Sequence, residues 1–221
     1  MNFFESVIYY WTKLIYPAVF TTIQIVFFTI VIGFVLGFIL AVLLTLWGPT
    51  GLRYKKHTYT LLSFVVNTIR SFPILILIVS IAPFTRMVVG TTIGTKAVIL
   101  PLSIAATAFI ARLLESSFLQ VDRQLIEAAR SLGATDMQIM FRVIIKESVP
   151  GIITTITMAT VTYIASTTIA GAVGGGGLGA VALTYGYQSF NDTVLYMGVF
   201  VLLLMVNIVQ YFGEWLYKKL L

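Results

Sequence analysis

Long apolar stretches alternate with short polar connections along the whole chain. The apolar runs cover about 17–46, 59–83, 97–114, 149–170 and 193–216. Since about 20 apolar residues cross a bilayer as a helix, the pattern predicts five transmembrane helices. They form a single all-α, polytopic membrane domain over 1–221. Pro73 lies inside the second run, where we expect it to bend or break the helix.

One long polar segment, about 115–148, separates the third and fourth apolar runs. Its periodicity predicts two short amphipathic helices on either side of Gly133. The apolar stripes of the two helices are Leu125, Ile126, Ala128, Ala129 and Leu132, and then Met137, Ile139, Met140, Val143 and Ile144. Gly133 suits a helix end that needs positive φ, and Asp136 suits the start of the next helix. Such a helix–Gly–helix segment on a membrane protein is typical of a docking element.

The composition excludes a soluble domain and most site chemistry. Of the 221 residues, 59% are hydrophobic and 10% are charged, whereas soluble domains carry roughly 25% charged residues. The chain has no cysteine and one histidine, so we predict no disulfide, no catalytic thiol and no bound metal. The net charge of +6 indicates membrane topology, and we expect no nucleic-acid partner.

The basic residues predict an orientation in the membrane. If 51–57, 112–147 and the C-terminal tail share one side, that side holds three, five and two basic residues, and the other side holds Lys13, Arg86 and Lys96. Arg70 is the fourteenth and is left unassigned. By the positive-inside rule the N-terminus lies outside, while the C-terminus and the polar segment lie in the cytoplasm. Residues 1–16 lack a basic n-region, so we expect no secretory signal peptide.

The sequence contains no energy source for transport. The run Gly174–Gly177 is not followed by Lys and Ser or Thr, as a phosphate-binding loop requires. Acidic residues fall in loops or at the ends of the predicted spans, which is atypical of an ion-driven carrier. The chain therefore reads as a membrane channel that is powered by another subunit.

The polar segment resembles the EAA motif of the membrane subunits of ABC importers. Glu127-Ala128-Ala129, three residues and Gly133 match it, with Val143 and Ile145 at the later apolar positions. Lys146 stands where that motif has Pro, which leaves open how the second short helix ends. Further stretches are similar to the methionine branch of the family: NTIRSFP (67–73), IAPFTRMVVGTTIG (81–94), FIARLLE (109–115), GAVGGGGLG (171–179) and YGYQSFN (185–191). At position 108 this chain has Ala where that branch has Pro.

The resemblance implies a type I ABC importer permease that is not itself an enzyme. It implies a homodimer in a bacterial cytoplasmic membrane, surrounded by membrane lipids, with two cytoplasmic ATP-binding subunits and an external substrate-binding lipoprotein. ATP and Mg would lie on the ATPase, and no cofactor on this chain. The cargo would be L-methionine, with D-methionine or related derivatives possible. The implied ATPase-coupling residues are Glu127, Ala128, Ala129, Gly133, Ala134 and Thr135.

Two further sets of residues are candidates around the pathway. Ser166, Thr168 and Ile169 precede the glycine run, and we expect them to line the pathway, with Ile169 as an apolar gate. The alternative for each is ordinary helix packing. The expected structural hinge positions are Arg70, Pro73, Gly171 and Gly174, with Arg70 forming hydrogen bonds at a loop–span junction. We expect 171–179 to form a tightly packed re-entrant element.

Three other functions remain open from the sequence. An ABC permease for another amino acid or a small peptide would share the EAA segment. A secondary carrier would transport without ATP, and a membrane scaffold would dock a soluble partner without any flux. ATP-dependent uptake separates these three classes.

Overall fold

The computed structural model describes residues 3–220, which fold almost entirely into helices. In this part of the chain, three π-helical segments interrupt or follow α-helices, at Trp11–Ile15, Met140–Ile144 and Ala182–Tyr187. The α-helices are α1 (Phe3–Tyr10), α2 (Tyr16–Trp47), α3 (Lys56–Ser71), α4 (Ile74–Ser80), α5 (Ala82–Val89), α6 (Thr95–Phe118), α7 (Arg123–Ser131), α8 (Asp136–Ile139), α9 (Ile145–Glu147), α10 (Val149–Ala172), α11 (Gly177–Val181) and α12 (Asp192–Leu220).

Within residues 3–220, four helical stretches are long and apolar enough to cross a membrane. They are Phe4–Trp47, Thr95–Phe118, Val149–Ala172 and Asp192–Leu220. A fifth span results if α3 and α4, which are sharply bent at their junction, are counted as one broken span. The break lies at Pro73, whose backbone is extended with φ −59° and ψ 129°. Proline cannot continue the hydrogen-bond ladder of α3, so the chain leaves the helix after Ser71 and starts a new one.

The chain divides into two compact units. The first contains the residues up to Val31, Phe72–Ile104 and Thr160–Tyr211. The second contains Ile32–Ser71, Ala105–Ala159 and the residues from Phe212 onward.

In the second unit, α2, α3 and α6 pack around one apolar cluster. Leu44, Val66, Ala108 and Ala111 form its buried centre. The pair Gly33 and Gly37 on α2 faces α6 so closely that a Cβ on Gly33 would lie 2.6 Å from Cβ of Ala106. The GxxxG spacing is therefore used for close helix contact. Ala108 is buried within an unbroken α6.

In the first unit, the N-terminal helices pack against the segment that follows the glycine run. Ile15, Ala18, Leu178 and Val201 form a buried cluster. The backbone N–H of Leu178 also donates to Oγ1 of Thr22 at 2.9 Å. Although α11 is short, both contacts hold it against α2.

Candidate coupling segment and pathway-facing residues

The first helix of the polar segment, α7, begins at a cap and buries none of its residues. The carboxylate of Asp122 accepts a hydrogen bond from the backbone N–H of Gln124 at 2.9 Å, which satisfies a free donor at the helix start. Its predicted apolar stripe stays open, since Leu125 is 45% and Leu132 is 89% exposed. An amphipathic helix that leaves its apolar residues in solvent is typical of a binding surface.

The turn at Gly133 closes α7 with a Schellman motif. The N–H of Gly133 donates to the carbonyl of Arg130 at 3.0 Å, and that of Ala134 to the carbonyl of Ala129 at 3.1 Å. This pattern requires a left-handed residue, and Gly133 has φ +80°. A Cβ at Gly133 would meet no atom within 4 Å, so the backbone angle alone calls for glycine.

The second helix starts with a capping box and is firmly packed. Oγ1 of Thr135 accepts from the N–H of Gln138 at 3.3 Å, and the N–H of Thr135 donates to Oε1 of Gln138 at 2.9 Å. Ile139, Met140 and Ile144 are buried. The helical path runs through the π-helical segment into α9, and only Ser148 separates α9 from α10. The second helical stretch thus continues past position 146 and ends at Ser148, so no proline is needed at position 146 to end it.

The predicted coupling residues differ in their surroundings. Glu127 and Ala128 are exposed, whereas Ala129 and Ala134 are half-buried. Glu127 forms no ion pair or side-chain hydrogen bond with any residue between 3 and 220. Arg130, by contrast, reaches Asp136 at 3.3 Å and the carbonyl of Leu52 at 3.4 Å. Arg130 thus connects the segment within itself and to the loop before α3, whereas the carboxylate of Glu127 has no partner among residues 3–220.

Both ends of the coupling segment, defined as residues 119–148, meet the C-terminal end of α6. Oγ of Ser148 donates to the carbonyl of Ser117 at 3.4 Å. Gly151 lies so close to Ser117 that a Cβ there would lie 2.9 Å from Cβ of Ser117. The start and the end of the segment are therefore both held at the C-terminal end of α6.

A cavity of about 550 Å³ lies beside this junction, within the second unit. Its walls include residues of α6, of the start of α7, of the first turns of α10 and of α12. Among them are Ser117, Asp122, Glu147, Thr154, Met158 and Tyr217. The cavity has the size of a small-molecule site. Residues that carry hydroxyl and carboxylate groups form part of its lining.

The glycine run in the first unit forms a second, much tighter turn. The N–H of Gly174 donates to the carbonyl of Gly171 at 3.1 Å and that of Gly175 to the carbonyl of Ala170 at 2.9 Å, with φ +86° at Gly174. This is again a Schellman motif. A Cβ on Gly171 would lie 3.0 Å from Cα of Ala180, and one on Gly179 would overlap the backbone of Thr168. The expected tight packing is present, and it gives Gly171 a packing role.

The three predicted gate residues occupy different positions on α10. Ser166 is buried and donates to the carbonyl of Thr162 at 2.8 Å, so its hydroxyl is used within its own helix. Thr168 is half-buried against Gly179. Ile169 is 42% exposed, on one stripe with the exposed residues Thr162, Ala165 and Ala172. Of the three, Ile169 is the one whose side chain is exposed.

Arg70 does not make the hydrogen bonds that we expected from the sequence. Its side chain is exposed and has no hydrogen bond to any residue between 3 and 220. Arg112 on α6 makes such bonds instead, because its guanidinium lies between α3 and α6. It donates to Oδ1 of Asn67 at 3.0 Å, to the carbonyl of Ser63 at 3.2 Å, to Oγ of Ser63 and to Glu115.

The Arg112–Glu115 pair is not among the features predicted from the sequence. There, Arg112 counts only as a topology signal, and Glu115 only as the start of the polar segment. In the structure α6 continues to Phe118, and the side chains of Arg112 and Glu115 are 14% and 6% exposed. The spacing in the sequence could have predicted the pair, because an Arg and a Glu at positions i and i+3 of an apolar helix lie on one helix face.

Comparisons with known proteins agree with this architecture. The family described as binding-protein-dependent transport system inner membrane component matches residues 33–221. The chain is 41% identical over 208 residues to the probable D-methionine transport system permease protein MetI of Vibrio cholerae, covering 94% of this chain and 92% of that protein. It is 42% identical over 172 residues to the methionine import system permease protein MetP of Bacillus subtilis, covering 78% of each.

A solved structure extends the likeness to three dimensions. A chain of the MetNI methionine ABC transporter, in an inward-facing conformation, superposes with a TM-score of 0.92. The two chains are 37% identical, and the match covers 95% of this chain and 97% of that one.

Proposed function

Because the chain belongs to the family of binding-protein-dependent transport system inner membrane components, we propose that it is the permease subunit of an ATP-driven methionine importer. The observation that supports the substrate best is the likeness along nearly the full chain to proteins named for methionine transport. The cargo is L-methionine, with D-methionine and related derivatives as further candidates. The chain performs no covalent chemistry, and the ATPase subunits supply the energy.

The coupling segment is the part that receives this energy. Its open apolar residues and its unpaired Glu127 suit a groove on a cytoplasmic ATPase. Ala128 and Ala129 permit close approach, while Gly133 and Thr135 fix the angle between the two short helices. Because both ends of the segment meet the end of α6, movement of the ATPase would shift α6 and the start of α10 together.

The pathway lies between two copies of this chain in a bacterial cytoplasmic membrane. Five spans per chain, with α3 and α4 counted as one, give ten per homodimer, with the N-terminus outside and the C-terminus in the cytoplasm. The exposed stripe of α10 faces the second copy, and Ile169 closes the pathway when the transporter rests. An external binding lipoprotein delivers the substrate, and ATP with Mg stays on the ATPase.

The absence of native cysteine makes the gate directly testable. We expect Ile169→Cys to form a disulfide between two copies on mild oxidation, visible as a dimer on a non-reducing gel. Ala165→Cys, one turn away on the same stripe, should cross-link as well if the whole stripe faces the second copy. Val181→Cys, on α11, is the control and should stay monomeric on the gel. A dimer only with the control, or with none of the three, would contradict the assignment.

The function is tested by uptake into proteoliposomes that hold this chain, its neighbouring ATPase and the binding protein. We expect uptake of labelled L-methionine that needs ATP on the ATPase side and is competed by unlabelled methionine. ATP hydrolysis that responds to a binding protein loaded with another ligand would keep the importer and reject methionine. Uptake without the ATPase, or neither signal, would reject the importer.

A further inference from the structure

The second unit contains a partly buried polar cluster between α3 and α6, in which Glu115 is buried, Ser63 and Arg112 are half-buried and Asn67 is exposed. We call it the Arg112 hub and define it as Arg112, Glu115, Ser63 and Asn67. Arg112 directs hydrogen bonds to four acceptor atoms on the other three residues, two of them on Ser63. Ser63 and Asn67 are four residues apart on α3, so both lie on the helix face toward α6.

A charged cluster at this place needs a reason, because α3 and α6 otherwise pack through apolar residues. Leu44, Val66, Ala108 and Ala111 already form a close-packed core between α2, α3 and α6. Burial of a guanidinium and a carboxylate costs desolvation energy that packing of apolar residues avoids. The hub adds directional hydrogen bonds. Because the planar guanidinium of Arg112 holds several partners at fixed angles, it fixes one register of α3 against α6.

The location of the hub suggests what that register is for. α6 ends at Phe118, one turn beyond Glu115, and the coupling segment both leaves and returns at this end. On the other side of the hub, α3 ends at Ser71, just before the break at Pro73. Within residues 3–220, the hub is the only charged connection between α3 and α6.

We infer that Arg112 is a positioning residue for energy coupling: it fixes α3 to the end of α6 that the coupling segment displaces. Apolar contacts permit two helices to slide in small steps, whereas the multidentate hub does not. With the hub intact, α3 follows α6 when the ATPase moves the segment. Without it, the ATPase cycles and part of each displacement is lost between the two helices.

The test rests on the proposed function and compares transport with hydrolysis. Arg112→Lys keeps the positive charge but loses the planar guanidinium with its several donors. Glu115→Gln removes the negative charge that pairs with Arg112. Glu214→Gln is the matched control, because Glu214 is an exposed glutamate on α12 without an ion pair in the described chain. We expect methionine imported per ATP hydrolysed to fall roughly 2- to 30-fold in both hub variants. The control should match the wild type.

The ratio of methionine imported to ATP hydrolysed distinguishes a positioning role of the hub from a role in folding alone. A purely structural role would lower uptake and hydrolysis in proportion to the amount of intact complex and leave their ratio unchanged. An unchanged ratio in both hub variants would therefore overturn the inference. Absence of ATP-driven uptake in the wild type would instead reject the proposed function.

A measurement on the chain alone keeps the inference testable in that case. Spin labels on Leu61→Cys in α3 and Gln124→Cys in α7, in an otherwise cysteine-free chain, report the distance between α3 and the coupling segment. We expect one narrow distance distribution with the hub intact and a broader one with Arg112→Lys. Equal widths would overturn the inference.

Discussion

Two helix ends in this molecule are built alike and surrounded differently. The left-handed glycine is Gly133 after α7 and Gly174 after α10, each with the same pair of backbone hydrogen bonds and with φ near +80°. Around Gly133 there is open space, and Leu132 beside it is 89% exposed. After Gly174 the chain returns so closely that Gly171 and Gly179 have no room for a side chain.

The contrast shows that a glycine can be required for two independent reasons. At Gly133 the backbone angle alone favours glycine, and the space around the turn stays open. At Gly179 the φ angle is ordinary, and the excluded volume comes from the backbone of Thr168. The first arrangement leaves an open surface beside the turn, and the second fixes the chain after α10 rigidly against it.

Gly179→Ala should have the largest effect on stability. The added methyl group overlaps the backbone of Thr168, which cannot move aside as a flexible side chain would. We expect a loss of about 3 kcal/mol, which lowers the melting temperature of the detergent-solubilised protein by about 6–12 °C. A shift within 2 °C of the wild type would show that α10 and α11 do not pack as described.

Gly133→Ala should cost less, because only the left-handed backbone is penalised. We expect about 1 kcal/mol and a fall of about 2–4 °C in the same measurement. Gly133→Asn should cost less still, since asparagine tolerates positive φ. A loss as large as that of Gly179→Ala would indicate that the space around Gly133 is filled.

Thr135→Ala should have the smallest global effect. It removes one half of the capping box and costs about 1 kcal/mol locally, while Ile139, Met140 and Ile144 keep the second helix packed. We expect faster amide hydrogen exchange at Gln138 and an unchanged melting temperature. Thr135→Ser retains the hydroxyl and should exchange like the wild type. Equal exchange in all three proteins would contradict the capping role.

Much of this architecture follows from local rules that the sequence expresses directly. Apolar runs of sufficient length produced the long helices, and Pro73 ended α3 because proline cannot donate in the helix ladder. The turn at Gly133 was predictable because a single glycine separated two amphipathic patterns. The helices extend past the predicted spans into their polar flanks, as α6 does to Phe118, since periodicity marks the apolar part alone.

Other features depend on which helices meet, and the sequence does not state that. Arg70 and Arg112 are both arginines within apolar runs, yet only Arg112 has an Asn and a Ser on the neighbouring helix. Ser166 has a hydroxyl that could line a polar pathway, but this hydroxyl donates to the backbone carbonyl of Thr162 in its own helix. The contacts of Gly171 and Gly179 arise from the return of α11, which no local pattern fixes.

The most direct test of the docking element compares Gly133→Ala with Gly90→Ala in the reconstituted importer. Gly90 ends α5 with φ +84° and open space, so both variants impose the same backbone penalty at different places. Methionine uptake and ATP hydrolysis are measured together after equal insertion of both variants is verified. We expect Gly133→Ala to lose coupled uptake and Gly90→Ala to retain it. Normal uptake by Gly133→Ala, or equal loss in both, would contradict the assignment of the coupling segment.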